Sequence, residues 1–143
     1  MKPCKETDQI VINEVLKIPS KTEENKFPYY YFDEEDESFV LTNKAGKLFF
    51  NPSLDMSSAW MVVKMMSQVM KDNPNFKWQG PVFNPKAGLR APFGGEFEKE
   101  GWYIFIMYMG RPLVILDDSP EMAICKGGLC VRELSDFFAK FMK

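Results

Sequence analysis

Asp117 and Asp118 are the residues best placed by type and position for acid–base chemistry, because they follow an apolar strand-like run and strand ends often present site carboxylates. Adjacent side chains normally diverge, however, and Asp118 serves equally well in a helix start. Histidine is absent from all 143 residues, which removes the commonest general base and the commonest transition-metal ligand. Of the three cysteines, Cys125 and Cys130 lie five apart on an apolar stretch that disfavours the thiolate, and Cys4 lies near the terminus. Their odd number and divergent directions argue against a disulfide framework and for small buried hydrophobes. The chain is therefore expected to be no enzyme, and to hold neither a metal nor a cofactor.

Binding chemistry is better represented. Gly80 to Gly95 reads as a long irregular loop with three prolines, the kind of segment that often carries specificity. It lacks the ending of a phosphate-binding P-loop. Lys86, Arg90 and Arg111, together with Phe83, Phe93 and Tyr108, nevertheless provide the charge and stacking groups for a flat anionic ligand such as a nucleotide. A second candidate is the strip Met61, Met65 and Val69, suited to a protein partner or to a contact between copies of the chain. A net charge of −2 excludes a broad footprint for duplex nucleic acid, and the run Asp33 to Glu37 repels polyanions. The longest apolar run, Ile104 to Met109, is too short to span a bilayer, and no apolar segment follows the charged N-terminus. A cytosolic protein with no membrane attachment is expected.

The elements that must position these groups follow from periodicity. Val11, Ile12, Val15 and Leu16 repeat at helical spacing between Thr7 and Ile18, with Thr7 or Asp8 as cap and Pro19 as stop. Phe27–Phe32, Phe39–Leu41 and Lys47–Phe50 predict three short strands. A second helix opens at Asp55 or Ser57 and is expected to bury Ala59, Trp60, Val63, Met66 and Met70. Phe76–Gln79, Gly101–Met109 and Leu113–Leu116 predict three more strands. The last two are apolar on both sides and turn at Gly110-Arg111, which calls for covering helices above and below. A third helix opens at Ser119-Pro120-Glu121 and carries Ala123, Cys125, Leu129, Cys130, Leu134, Phe137, Phe138 and Phe141. Gly127-Gly128 costs it about 2 kcal/mol relative to alanines, and suggests close approach to the sheet or to another helix, or a kink. The expectation is one α+β domain over residues 1–143, with a mainly antiparallel sheet covered by helices on both faces.

Two helix starts carry a more specific signal. Asn51-Pro52-Ser53-Leu54-Asp55 followed by Ala59-Trp60-Met61-Val62-Val63-Lys64-Met65 resembles the phage ABA sandwich domain family. Gly101-Trp102-Tyr103 and Asp118-Ser119-Pro120-Glu121-Met122-Ala123-Ile124-Cys125 are similar to that family's closing strand and last helix. The resemblance spans about residues 7 to 140 and implies an α-β-α sandwich and a phage or prophage origin. It carries over no catalytic residue, and the long loop and Gly127-Gly128 depart from the family's pattern. The function it implies is that of a non-enzymatic phage accessory protein binding in the host cytoplasm, inhibiting an antiviral defence through a host protein. Sequestration of a nucleotide immune signal, or a role in phage structure and assembly, is the alternative.

Overall fold

The computed structural model describes residues 3–22, 26–72, 76–91 and 95–141, with only the backbone for residues 72 and 137–141. The element order is helix, three strands, helix, three strands, helix, as the periodicity predicts. The strands, however, form two three-stranded antiparallel sheets instead of one. The fold is mixed α+β.

The first helix begins earlier than expected, as α1 (Lys5–Ile10), and continues as a π-helical segment Val11–Leu16. Val11, Ile12 and Val15 are fully buried on it. Thr7 and Asp8 are interior helix residues and not caps, because the chain already turns helical after Cys4. The segment ends in a left-handed Lys17, and Arg132 Nε donates to the Val15 carbonyl at 2.8 Å, satisfying an end group of the helix.

The first sheet runs β1 (Tyr29–Asp33), β2 (Ser38–Asn43), β3 (Gly46–Phe49), each antiparallel to the next. The acidic run forms the β1–β2 turn, where Asp33 Oδ1 accepts the Glu35 and Asp36 amides. Beyond β1 the edge is partly covered: Tyr30 N–H donates to the Pro19 carbonyl, and Lys21 N–H to the Tyr30 carbonyl.

Helix α2 (Met56–Asp72) is capped by Asp55, whose Oδ2 accepts the Ser58 amide at 3.2 Å, the bond expected of an N-cap residue. It buries Ala59, Val62 and Met66 completely. Trp60 does not join them; it is 50% exposed. At about 100° per residue, position 60 lies off the stripe through 59, 62 and 66, whereas Val62 lies on it.

The second sheet comprises β4 (Phe76–Asn84), β5 (Gly101–Tyr108) and β6 (Arg111–Asp117), in that order. Strand β4 runs five residues past the predicted end. Its register shifts between Gln79 and Val82, so a bulge on an edge strand absorbs Gly80-Pro81. Gly80 is required there, because its φ is +117° and a Cβ would lie 2.6 Å from the Tyr103 carbonyl oxygen. The β5–β6 turn is Met109-Gly110, both at positive φ, and Arg111 already pairs with Tyr108.

Helix α3 (Pro120–Phe141) is capped as expected, Ser119 Oγ accepting the Met122 amide at 3.2 Å. Gly127 and Gly128 serve close approach on two sides. A Cβ at Gly127 would lie 2.6 Å from the Trp78 ring, and one at Gly128 would lie 2.9 Å from Val62. The pair lets α3 touch β4 and α2 at once. One hydrophobic cluster draws on the π-helical segment, α2, α3 and every strand but β3, including Val15, Phe39, Val62, Ile104, Ile106 and Ile124. Phe137, Phe138 and Phe141, expected to add to it, have side chains outside the described residues.

The opposite face of β5 is covered by a loop and not by a helix. Residues 85–91 and 95–100 fold back so that Phe97 packs edge-on against Tyr103, with ring centroids 4.7 Å apart, and Phe97, Tyr103 and Phe105 form a second small cluster. Gly88, Leu89 and Ala91 exchange backbone hydrogen bonds with Gly95 and Phe97, and Tyr103 Oη donates to the Lys99 carbonyl at 2.7 Å.

Candidate functional site

The groups that could do covalent or acid–base chemistry are engaged structurally. Asp117 pairs with Lys126 at 2.5 Å and accepts the Ser119 amide, so it braces the start of α3. Burial pushes the Cys125 thiol far above its ordinary range, reinforced by the Asp8, Glu121 and Asp117 carboxylates; burial and then Glu133 push Cys130 upward too. Neither is a ready nucleophile. Among the described residues, no three cysteines or carboxylates converge as metal ligands.

The Asn51–Ser58 segment, the most distinctive in the sequence, is a polar joint. Asn51 Oδ1 accepts the Phe39 amide, while the Asn51 amide donates to Ser58 Oγ at 3.0 Å. The Ser53 amide donates to Asp8 Oδ1 at 2.7 Å, and the Cys4 amide to Ser53 Oγ. These bonds tie the start of α1, strand β2 and the start of α2 together. Asn51, Ser53, Asp55 and Ser58 each have a backbone group to satisfy, which explains these residue types without invoking a ligand.

The six residues proposed for a flat anionic ligand do not assemble. Phe83 pairs across the sheet with Trp102, and Phe76 with Tyr108. Tyr108 and Arg111 thus lie about 20 Å along β5 from Phe83 and the adjoining Lys86, at about 3.4 Å per residue. Phe83 stacks on Trp102 and Tyr108 on Phe76 within the sheet. The Arg90 backbone pairs antiparallel with that of Glu96 in the folded-back loop, and Phe93 lies outside the described residues. The loop supplies cover for β5, which a reading of prolines and glycines alone does not reveal.

The partner strip fares differently. Met61, Met65 and Val69 are half-buried and pack against the core cluster. The exposed apolar group on α2 is Trp60, which with Ser57, Met61, Val63, Lys64 and Ser67 borders a shallow groove of about 460 Å³. Its signal was available in the helical angle of position 60.

A second open surface went unread. Register places Tyr29, Thr42 and Lys47 in one cross-strand row of the first sheet and Tyr31, Val40 and Phe49 in the next, all on one face. Phe49 is 54% exposed, and Lys47 Nζ lies 5.8 Å from the Tyr31 ring centroid. The aromatic run Phe27–Phe32 hid this alternation, because successive rings look alike whichever way they point.

No family model, curated protein or solved structure matches the chain. No helix among the described residues is long and apolar enough to cross a membrane.

Proposed function

We propose that the chain is a non-enzymatic binding protein that engages a host protein in the cytoplasm of an infected bacterium and inhibits an antiviral defence. The observation that carries the binding reading is Trp60. A half-exposed tryptophan on the side of α2 away from the core costs the fold an unburied apolar ring, and tryptophan is among the residues that most often anchor interfaces. Met61 and Val63 flank it and Lys64 supplies a charged rim, so the fitting partner offers an apolar socket edged by carboxylates. Phage kinship, and with it an α-β-α layering, belongs to the same proposal; its support is the helix-start motifs and the element order.

Capture from bacterial lysate with the parent chain and with Trp60→Ala tests this reading. One host protein is expected in stoichiometric amount with the parent and is expected to bind the variant about thirtyfold or more weakly, since an anchor tryptophan contributes about 2 kcal/mol or more. Equal capture by both chains, with the variant's circular dichroism unchanged, overturns it. A second reading, sequestration of a nucleotide signal, draws support from the open face of the first sheet.

A further inference from the structure

The geometry points to a nucleotide site on the outer face of the first sheet, between Tyr31 and Phe49, for a free nucleoside phosphate whose base carries an exocyclic amino group. The inference is independent of the Trp60 surface. A small pocket of about 190 Å³ lies there, lined by Tyr31, Asp33, Val40, Lys47, Leu48 and Phe49. Whole-ligand pockets run to about 300–1,000 Å³, so this one seats a single ring system and leaves the sugar and phosphate outside. Its walls are aromatic, its floor is the buried Val40, and its two ends carry opposite charges.

The polarity selects the ligand. At one end Asp33 uses Oδ1 for the Glu35 and Asp36 amides at 3.0 and 3.1 Å, leaving Oδ2 to accept an amino N–H from the base. Toward the other end stands Lys47, and Lys21 approaches the same Tyr31 ring from beyond β1, its Nζ 5.4 Å from the centroid. Neither ammonium pairs with a carboxylate among the described residues. Two unpaired cations beside an aromatic ring fit a phosphate whose base stacks on that ring.

A further observation falls in the adjoining row. Thr42, flanked across the sheet by Tyr29 and Lys47, is 5% exposed, and its buried Oγ1 has no hydrogen-bond partner. Orphaned buried hydroxyls are uncommon. A ligand oxygen seated over this row would give the hydroxyl a partner. A single nucleotide fits better than a nucleic-acid strand, because Glu34, Glu35, Asp36 and Glu37 crowd one end of the face and the chain is net negative.

Titration calorimetry of the parent chain with ATP, with GTP and with a short single-stranded oligodeoxyadenylate tests the site. At least one mononucleotide is expected to bind, and to bind more tightly than the oligonucleotide. Tyr31→Ala should weaken that binding about tenfold or more, as loss of a stacking ring does, and Tyr31→Phe should leave it within about threefold. The exposed Lys47→Glu, which leaves the core untouched, should weaken it comparably, whereas Trp60→Ala should leave it unchanged. No heat with either mononucleotide at about 1 mM, a level at which even weak sites register, overturns the proposal. So does binding indifferent to both Tyr31→Ala and Lys47→Glu, or preference for the oligonucleotide.

Discussion

The two sheets solve the same problem in opposite ways. Each has a central strand with apolar side chains on both faces, and each turns one face to the shared core. The second sheet covers the Tyr103–Phe105 stretch of its other face with Phe97 and Ala91, and leaves Val114, the cross-strand partner of Phe105, exposed. The first sheet carries Tyr29, Tyr31, Lys47 and Phe49 on its other face, beside the buried Val40 and Thr42. The attachments differ as well. The second sheet meets α3 through apolar packing of Trp78 and Ile104 on Gly127, whereas the turn after the first sheet is joined to α1 through the Asp8–Ser53 hydrogen bond. An expensive loop spent on covering one sheet makes the uncovered state of the other informative, because the chain had a means of closing it.

Removing the cover should show this most strongly. Phe97 is buried against Tyr103 and Phe105, and Phe97→Ala is expected to cost about 3–5 kcal/mol, the range for a large aromatic deleted from a core. The urea midpoint measures the loss. A cost below about 1 kcal/mol, the level of surface and half-surface positions, would mean that the loop merely rests on β5 and that the contrast between the sheets is false.

The sequence announced elements far better than it announced covers. Ser119-Pro120 and Asp55 could be placed from local chemistry alone, because a cap acts on amides within one turn. Gly127-Gly128 was legible as a close-approach pair, though its two targets, Trp78 and Val62, required tertiary structure. Phe97 was not legible as a lid, since nothing near it in sequence shows that it will lie across Tyr103. The split into two sheets was hidden for a similar reason: strand pairing is decided by neighbours remote in the chain, and alternation within a strand is the same in one sheet as in two. The loop cations Lys86 and Arg90 stand out in the sequence by composition, whereas Tyr31 and Lys47 are united only by register.

The polar attachment makes the first sheet's surroundings sensitive to pH. Burial holds the Asp8 carboxyl above its ordinary value of 3.8, against the lowering effect of the Ser53 amide and hydroxyl. The folded state therefore keeps this proton more readily than the unfolded chain does. The contribution of Asp8 to stability is fullest below the ordinary value and declines as pH rises through the raised one. Asp8→Asn retains an oxygen for the Ser53 amide and has nothing to ionise. Its urea midpoint relative to the parent is expected to improve across an interval in which pH is raised from the ordinary carboxyl value of 3.8 toward neutrality, since the parent loses this proton less readily folded than unfolded. A difference that stays flat across that interval would show that the parent's Asp8 titrates alike in both states.

The smallest effect is expected on the open face, and its smallness is the point. Phe49 projects from the edge strand β3, where all four residues are exposed, and it belongs to neither hydrophobic cluster. Phe49→Ala should change the urea midpoint by no more than the equivalent of about 0.5 kcal/mol, as substitutions away from packed positions do. Such indifference, set beside a large cost at Phe97, would mean that the aromatic rings of the first sheet contribute little to holding the fold, and that their presence there calls for a ligand. If Phe49→Ala instead destabilises the chain as much as Phe97→Ala, the outer face of the first sheet is core by another route, and Tyr31 and Lys47 lose their standing as a binding surface.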